Sequence, residues 1–545
     1  MNPQQTHIKA RLESILVEHL HLDDVTVDIE IPNDSSHGDY ATNVAMKLAK
    51  VLKKNPLAIA QEILTHLTPD EVIAEASVAR PGFINIRLTN DTLYDVLTAV
   101  LQQEGQFGAQ PSQNQRVLIE FVSVNPTGAM HIGHARGAAA GDSLARLMRK
   151  AGYDVTTEFY VNDAGNQIDN LGLSLKARVL EHLSFPFTLP EDGYYGPEIK
   201  TLALKLIETH GETVKDQSLE FFKNHGVEAL MKGIQEDLKA FGVEFDRYFS
   251  EKSLYDTNAV ETTLQTLKNK GYTYREDDAL WLKTSQFGDE KDRVLIKQDG
   301  SYTYITPDIA YHHDKIKRGY DLLIDILGGD HHGYVSRLKA AIAMLGEQSA
   351  LLEVDLLQMV RVIQDGVEVK MSKRSGKALS LRDLIEEVGV DPIRYFFGMR
   401  SLNTHMDLDL DLALKQSNEN PVYYVQYAHA RIQRLLEKAR RDKGLTPQKD
   451  LQTYTTLHGE KIETLLKALA LYPETIARSA QTRMVHKIPQ YAHKLATALH
   501  SVYSDDAILT DDAVHVVERL NLLKATQIIL KDALYLIGVN AKDTM

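Results

Sequence analysis

The sequence of 545 residues contains no cysteine. Disulfide bonds and thiolate-ligated zinc sites are therefore excluded, and the absence agrees with a reducing compartment, so we expect a cytoplasmic protein. The sequence also lacks any apolar run close to the ~20 residues that a membrane-spanning helix requires. Its first 20 residues carry acidic side chains and no long apolar core, so they do not predict a secretory signal.

Acidic residues outnumber basic residues, and the formal net charge is −14. Proteins that bind nucleic acid usually present a basic face, although local patches matter more than the net charge. One basic stretch, residues 431–443, is either a solvated helix face or such a patch. At 25% charged and 43% hydrophobic residues, the composition is that of a globular protein, and the length predicts three or four domains.

The most informative segment contains two histidines, His131 and His134. It follows an apolar run at 117–124 that predicts a buried strand, and it precedes an alanine-rich helix predicted for 135–151. A strand, a turn and a helix N-terminus together form an anion site, because unpaired N–H groups and the positive helix end point at the ligand. Two imidazoles there can donate hydrogen bonds to phosphate oxygens, so we expect a polyphosphate.

Three glycines recur every four residues in this segment: Gly133, Gly137 and Gly141. They share one face of the predicted helix and indicate close packing of the helix against a sheet. Gly133 also leaves room for a flat ring or a phosphate to approach the backbone. The alternative is that the histidine pattern is coincidental and the two imidazoles only cap the helix.

A second signal is the basic segment Lys370-Met371-Ser372-Lys373-Arg374-Ser375-Gly376-Lys377. It follows a strand-like stretch at 359–363 and precedes a helix predicted for 381–388. Four cations among small residues are typical of a mobile loop that closes over phosphates, although a solvated basic loop is the alternative.

In this order, the two motifs resemble the HIGH and KMSKS signatures of class I aminoacyl-tRNA synthetases. Over nearly the whole chain, the sequence is similar to bacterial-type arginyl-tRNA synthetases. The segments that carry this narrower resemblance are residues 120–128, 162–167, 304–310, 329–334 and 416–427. The first and the last of them are highly specific to that family.

The expected fold is multidomain. The pattern of residues 1–108 predicts an N-terminal α+β domain with helices at 7–20 and 41–67 and a strand at 81–88, and the resemblance implies that it contacts the tRNA elbow. A Rossmann-like α/β nucleotide-binding catalytic domain is expected for 116–395, with an insertion at about 175–290. Residues 396–545 are expected to form an all-α bundle, because heptad-like apolar spacing recurs at 422–438, 465–471, 488–502 and 514–537. The resemblance implies that this bundle binds the anticodon.

The resemblance implies a ligase that joins L-arginine to tRNA(Arg) through arginyl-adenylate, consumes ATP with Mg²⁺, and needs bound tRNA for activation. A monomer without a membrane or DNA partner is the expectation. His131 and His134 would stabilise the phosphates in the transition state, and Lys370 and Lys373 would clamp the leaving pyrophosphate. No metal ligand is assigned in the protein. The expected ATP site consists of Gly128, His131, Gly133, His134, Asp330, Met359, Val360, Lys370, Met371, Ser372 and Lys373.

A guanidinium pocket needs carboxylates placed for paired hydrogen bonds. Glu120 stands in the apolar strand and needs a cationic or donating partner, either an internal arginine or a ligand. Asp308 follows a strand predicted for 302–305, so we expect it to anchor the guanidinium rather than to cap a helix. The resemblance implies a full arginine site of Glu120, Ser123, Asn125, Tyr304, Asp308 and His331. The chain departs from the family at Pro307, where arginine is frequent, and at His331, where some relatives have glutamine.

In the C-terminal domain, Tyr423, Tyr427 and Arg431 lie at i, i+4 and i+8, so they share one helix face. Tyrosine and arginine side chains stack on unpaired bases, which predicts an RNA surface. The alternative is that both tyrosines pack against the catalytic domain.

Three other functions stay open. A synthetase for glutamate or lysine is one, but a glutamate pocket would need a cation where Glu120 and Asp308 stand. A small nucleotidylyltransferase would leave the C-terminal domain and residues 420–424 unexplained. A non-catalytic tRNA-binding relative would be expected to have damaged signatures, whereas both are intact here.

Overall fold

The computed structural model describes residues 3–32, 37–346, 351–369, 379–505 and 507–545. Within these ranges, every helix is too short or too polar to cross a membrane. Three regions follow one another along the chain: an α+β unit, an α/β unit built on a parallel sheet, and a bundle of helices. The expected multidomain fold is confirmed.

The N-terminal unit is a three-stranded antiparallel sheet, of strand order β1-β3-β2, covered by helices. Its elements are α1 Pro3–Leu20, β1 Tyr40–Thr42, α2 Val44–Leu52, α3 Pro56–His66, β2 Ile73–Ala79, β3 Phe83–Leu88 and α4 Asn90–Gln103.

The single helix predicted for 41–67 is wrong, because the chain forms β1 and then two helices there. Lys53 takes a left-handed conformation with φ of 51° after α2. The Asn55 side chain then accepts the N–H of Leu57 and caps α3, and Pro56 occupies its first position. Because proline has no N–H, it fits only the first turn of a helix, so Pro56 begins a new helix. The amphipathic pattern that predicted one helix therefore extends over two helices with a break between them.

The central unit is a five-stranded parallel sheet of order β11-β10-β4-β5-β6. The strand order reverses between β4 and β10, and open α/β sheets bind ligands outside the carboxyl ends of the strands at such a reversal. Its elements are β4 Arg116–Glu120, α5 Ile132–Lys150, β5 Asp154–Val161, α6 Asn166–His182, α7 Pro197–His210, α8 Leu219–Ala240, β6 Arg247–Ser250, α9 Lys252–Asp256, α10 Ala259–Asn269, β7 Thr273–Glu276, β8 Ala279–Leu282, β9 Arg293–Ile296, α11 Ile305–Lys317, β10 Leu322–Gly328, α12 Val335–Leu345 and β11 Leu352–Leu357.

The insertion predicted for 175–290 is only partly separate from this sheet. Strand β6 lies within that range and pairs in parallel with β5, so α6, α7 and α8 belong to the crossover between two neighbouring strands. Strands β7, β8 and β9 form an antiparallel sheet of their own. A four-residue edge strand has too few positions for its periodicity to be recognised in sequence.

The strand predicted for 302–305 is also wrong. Tyr302 forms only an isolated bridge with Ile296, and α11 begins at Ile305. The hydroxyl of Thr306 donates to the Leu295 carbonyl at 2.7 Å, and its N–H donates to the Thr303 carbonyl. These bonds turn the chain into the helix directly after β9, so Asp308 lies in the first turns of α11 instead of at a strand end.

The C-terminal region is mainly helical, as predicted. Its elements are β12 Val360–Gln364, β13 Val367–Glu368, α13 Leu381–Val388, α14 Val390–Gly398, β14 Met406–Asp409, α15 Leu410–Leu414, α16 Pro421–Lys443, α17 Glu460–Ala470, α18 Tyr472–Gln481, α19 Lys487–Asp505 and α20 Ala513–Leu536. The helix predicted for 381–388 matches α13. Strand β14 pairs in parallel with β12. The predicted domain boundary at residue 396 therefore separates two strands that belong to one sheet.

One buried guanidinium joins the central unit to the helical bundle. Arg394 on α14 pairs with Asp142 on α5 and donates to the carbonyls of Ile537 at 2.9 Å and Phe241 at 3.1 Å. Gly538, with φ of 66°, follows α20 where a Cβ atom would collide with this guanidinium. The end of α20 is therefore held against the helix that begins at the two histidines.

The predicted close approach of α5 to the sheet occurs at Gly141. A Cβ atom there would lie 2.1 Å from the Phe121 ring, whereas one on Gly137 would lie 3.5 Å from Leu357. Only Gly141 is therefore required by packing.

Replacement of Gly141 by alanine should lower the free energy of unfolding by about 1–3 kcal/mol, because the methyl group cannot fit against the Phe121 ring. Gly137→Ala is the matched control on the same helix, and it should be neutral or stabilising by up to about 1 kcal/mol. Thermal unfolding of both variants measures the difference, and equal melting temperatures would contradict the packing argument.

Candidate active site

The loop after β4 is shaped by backbone strain. The strand ends at Glu120, four residues earlier than predicted, and Val122 and Ser123 have positive φ values of 71° and 38°. Such values are costly for residues with a Cβ atom and concentrate at functional sites. The Ser123 hydroxyl donates to Glu120 Oε1 at 2.9 Å and accepts the N–H of Tyr160 at 3.1 Å, which holds the turn in place.

His131 and His134 form a reciprocal cap at the start of α5. His131 Nδ1 accepts the N–H of Gly133 at 3.1 Å, and His134 Nδ1 accepts the N–H of His131 at 3.4 Å. The two rings stack with their centroids 3.6 Å apart. Because both Nδ1 atoms accept, each neutral ring carries its proton on Nε2. Capping, which was the alternative to phosphate binding, thus occurs and leaves one N–H donor on each ring.

Both imidazoles are neutral at neutral pH. Burial lowers the pKa of His131, and burial together with His131 lowers the pKa of His134 to about 4. They can therefore act as neutral hydrogen-bond donors to a phosphate, without contributing a full positive charge.

Lys370, Met371, Ser372 and Lys373 of the basic segment lie outside the described residues. The chain directly after this segment is described and contacts the histidine loop. Leu381 donates its N–H to the Met130 carbonyl at 2.8 Å, and Ser380 forms an antiparallel bridge with His131. The residues that follow the basic signature, Ser380 and Leu381, therefore contact the histidine loop.

The other residues expected at the ATP site gather at the carboxyl ends of neighbouring strands. Asp330 lies in the short 3-10 helix that follows β10, as does His331 of the expected arginine site, and Met359 and Val360 follow β11. Met359 is exposed, whereas Val360 is buried and its strand pairs with β14. A Cβ atom added to Gly128 would meet no other atom, so this turn is open.

Arg136 was missed by the sequence analysis. It is fully buried on α5, and its Nη atoms donate to the carbonyls of Gln358 at 2.7 Å, Ser401 at 2.9 Å and Thr404 at 3.0 Å. Burial lowers its pKa to about 10. This guanidinium fixes the histidine helix relative to the backbone just before Met359.

Three carboxylates lie side by side across the middle of the sheet. Asp325 on β10, Glu120 on β4 and Glu158 on β5 are in register with one another. Two cations pair with them, Lys315 on α11 and Arg318 directly after that helix. Lys315 Nζ lies 2.5 Å from Glu120 Oε2 and 2.9 Å from Asp325 Oδ1, and Arg318 forms two hydrogen bonds with Glu158. The internal partner of Glu120 is therefore a lysine, where the sequence analysis expected an arginine or a ligand.

Asp308 projects from the first turns of the same helix. The cap of α11 is Tyr304, so Asp308 is not the helix cap. Its Oδ2 accepts the hydroxyl of Tyr334 at 2.6 Å, and its Oδ1 lies 3.0 Å from His312 Nδ1. The Asp308 side chain is 27% exposed and that of Tyr304 is 81% exposed, so both are accessible to a ligand.

A further carboxylate, Glu251, stands directly after β6 and was also missed. It accepts the hydroxyl of Tyr255 at 3.1 Å and interacts with Tyr160. Burial, with added repulsion from Asp163 and Asp308, raises its pKa to about 6. Burial raises the pKa of Tyr160 above its ordinary value, and the charges of Glu251, Asp308 and Glu120 raise it further. An acidic residue directly after a strand is the signal that could have identified Glu251.

Asn125 joins two loops at this edge. Its Nδ2 donates to Gln167 Oε1 at 2.8 Å, and its Oδ1 accepts from Asn162 Nδ2 at 2.8 Å. The segments 120–128 and 162–167 are therefore one hydrogen-bonded unit beside the histidines.

Known proteins share this combination of domains. A family model described as "tRNA synthetases class I (R), catalytic domain" matches residues 96–391, which is more than half of the chain. An arginine–tRNA ligase from Geobacillus thermodenitrificans is 49% identical over 524 residues, covering 95% of this chain and 94% of the relative. The chain belongs to the arginyl-tRNA synthetase family. A Bacillus subtilis arginine–tRNA ligase is 47% identical over 543 residues, covering 98% of this synthetase and 97% of the relative.

The flanking units of the synthetase match as well. The model "Arginyl tRNA synthetase N terminal domain" matches residues 4–88, and "DALR anticodon binding domain" matches residues 425–545. The solved structure of Thermus thermophilus arginyl-tRNA synthetase has a TM-score of 0.77 at 22% identity and covers 99% of this chain and all of its own, which is a likeness of fold.

In the bundle of the synthetase, Tyr423 and Tyr427 stack on one another with centroids 6.0 Å apart. Tyr427 also stacks on His500 of α19, and the Arg431 guanidinium lies 4.1 Å from the centre of the Tyr503 ring. All three residues of the predicted RNA face are half-buried and keep exposed edges. Tyr427 and Arg431 also pack against α19.

The cap geometry predicts the ionisation of the synthetase's histidines. His134 should remain neutral down to about pH 5, with its proton on Nε2, because protonation would break the cap and charge a half-buried ring. Nitrogen-15 NMR titration of the histidine side chains measures both properties, with His134→Gln used to assign the signal. Titration near pH 6.5 with the proton on Nδ1 would exclude the cap.

Proposed function

We propose that this synthetase attaches L-arginine to tRNA(Arg) in two steps, with arginyl-adenylate as the intermediate. The observation that supports arginine most directly is the position of three carboxylates at this edge of the sheet. Glu120 ends β4, Glu251 directly follows β6, and Asp308 lies in the first turns of α11, where it accepts the hydroxyl of Tyr334. A pocket with three carboxylates selects a substrate that carries two cationic groups, as arginine does at its guanidinium and its amino group.

The positions of these groups assign each end of the arginine molecule to a part of the pocket. Asp308 and Glu251 accept the guanidinium hydrogen bonds, and Tyr304 stacks on or bonds to the guanidinium plane. Glu120 receives the amino group at the edge that Lys315 and Ser123 leave accessible, and Asn125 holds the carboxylate. His331 lies on the loop after β10, next to this pocket, and contributes to the same site.

The family implies the use of ATP, and the residues at the histidine loop fit its triphosphate. The Nε2–H groups of His131 and His134 stabilise charge that develops on the phosphates. Gly128 leaves the backbone open, and Gly133 leaves room for the His131 ring. The exposed Met359 is assigned to the nucleotide base together with Val360, whose side chain is buried. Mg²⁺ would bind together with the triphosphate, because this ion is usually held by substrate phosphates and waters with few protein ligands.

In the first step, a carboxylate oxygen of arginine attacks the α-phosphorus of ATP. A bond from that oxygen to phosphorus forms, the bond to the bridging oxygen breaks, and pyrophosphate leaves with the electron pair. Lys370 and Lys373 clamp the leaving group through their positive charges. In the second step, the terminal ribose hydroxyl of tRNA attacks the activated carbonyl and AMP leaves. Positioning and charge stabilisation carry such reactions.

The tRNA is bound at two further places. Tyr423, Tyr427 and Arg431 present ring edges and a cation to the anticodon loop. On the N-terminal sheet, a cleft of about 350 Å³ is suited to a nucleotide of the tRNA elbow, and it is lined by His37, Gly38, Glu75, Ser77, Asn85 and Arg87. That the protein is a monomer, that it acts in the cytoplasm and that it has no DNA partner remain predictions.

Pyrophosphate exchange with each of the twenty amino acids, with and without tRNA, tests the function. Exchange is expected with arginine only and only when tRNA is present. Exchange with lysine or glutamate would agree with the fold but would contradict the assignment of the carboxylates to an arginine pocket. Failure to exchange any amino acid, with tRNA still bound, would favour the non-catalytic alternative.

Arginine affinity should depend on pH through Glu251. The guanidinium binds the ionised carboxylate, so protonation as the pH falls through about 6 should weaken binding, by roughly tenfold between pH 7.5 and pH 5. Glu251→Gln is the control, with weaker binding at every pH and a flatter profile. Isothermal titration with arginine measures both proteins, and a wild-type affinity that is constant over this range would contradict the assignment.

A further inference from the structure

A continuous chain of ionisable side chains runs beneath the arginine pocket. Asp308 Oδ1 lies 3.0 Å from His312 Nδ1, and His312 Nε2 lies 2.8 Å from Asp325 Oδ2. The other oxygen of Asp325 accepts from Lys315 at 2.9 Å, and Lys315 contacts Glu120 at 2.5 Å. The two carboxylates assigned to opposite ends of the substrate are therefore connected through three buried residues.

The burial of this chain changes along its length. The side chains of His312, Lys315 and Asp325 are at most 3% exposed, whereas those of Glu120 and Asp308 are 10% and 27% exposed. Only the two ends can touch a ligand. The three middle residues act on the substrate only through the carboxylates that they hold.

The middle of the chain carries two cations. Burial and Lys315 act to lower the pKa of His312, but Asp325 and Asp308 raise it to about 9, so the ring is a cation at neutral pH. His312 and Lys315 therefore alternate with the carboxyl groups of Asp308, Asp325 and Glu120 along the chain. Burial raises the pKa of Glu120, against the opposing effect of Lys315.

We propose that His312 and Lys315 are positioning residues for arginine selection, because their shared contact with Asp325 fixes the separation and orientation of Glu120 and Asp308. This inference rests on the proposed function. Asp325 presents one oxygen to each cation, so neither end can move without disturbing the other. A displacement of about 1 Å at a reacting or binding group is enough to cost a large factor in rate.

A matched pair of variants on α11 tests this inference. His312→Asn keeps a donor near Asp308 but cannot also reach Asp325. His313→Asn is the control, because His313 is the next residue and contacts Thr263 of α10 at 2.9 Å instead. In tRNA-dependent pyrophosphate exchange, His312→Asn should raise the KM for arginine roughly tenfold or more and leave the KM for ATP unchanged. His313→Asn should alter neither KM.

Discrimination against L-homoarginine, which is longer by one methylene group, gives a second readout. If the chain sets the distance between its ends, His312→Asn should reduce the preference for arginine over homoarginine, and a loss of stability alone would not do so. Lys315→Arg keeps the charge but lengthens the side chain, and it is the alternative variant if His312→Asn does not fold. Lys315→Arg should likewise raise the KM for arginine and reduce the preference for arginine over homoarginine.

The inference is overturned if either foldable variant lowers the melting temperature while the arginine KM and the preference over homoarginine stay at wild-type values. Asp308→Asn separates this result from a failure of the proposed function. If Asp308→Asn also leaves the arginine KM unchanged, the pocket assignment itself is wrong. If Asp308→Asn raises the KM and the His312 and Lys315 variants do not, only the positioning role is lost.

Discussion

Three carboxylates in register at the centre of a parallel sheet impose the constraint on which the site depends. Neighbouring strands are roughly 4.8 Å apart, so Asp325, Glu120 and Glu158 would repel one another strongly in a buried environment without cations. Lys315 on α11 and Arg318 directly after that helix supply those cations at 2.5–2.9 Å. Helix α11 can satisfy all three carboxylates in only one axial position, and that position places Asp308 at the carboxyl edge of the sheet.

The histidine helix is held by a second set of buried contacts. Arg136 bonds to backbone carbonyls before Met359 and around residues 401–404, and Asp142 pairs with Arg394. Arg394 in turn bonds to the carbonyl of Ile537 at the end of α20. One helix thus contacts the chain just before Met359, the backbone around residues 401–404 and the helical bundle. These contacts connect the end of α20 to the helix that His131 caps.

Sequence reasoning identified the elements whose signals are local. The strand, glycine turn and helix around His131 are contiguous, and the apolar periodicity of α16, α17, α19 and α20 is long enough to be recognised. It failed where the signal was short or interrupted, as at β6, at the break before Pro56 and at residues 302–305. Glu251 and Arg136 were missed because a charged residue beside a strand or within a helix has many ordinary explanations until its neighbours are known.

The sequence by itself determined the family, the order of the domains and the identity of the histidine, acidic and basic groups, because these depend on residue type and spacing. Only the tertiary structure decided which charges meet. Lys315 lies 195 residues after Glu120, and Glu251, Asp308 and Tyr160 come from three separate elements. Pairing between such distant residues is set by strand register and helix docking, which are properties of the folded chain and leave no local pattern in the sequence.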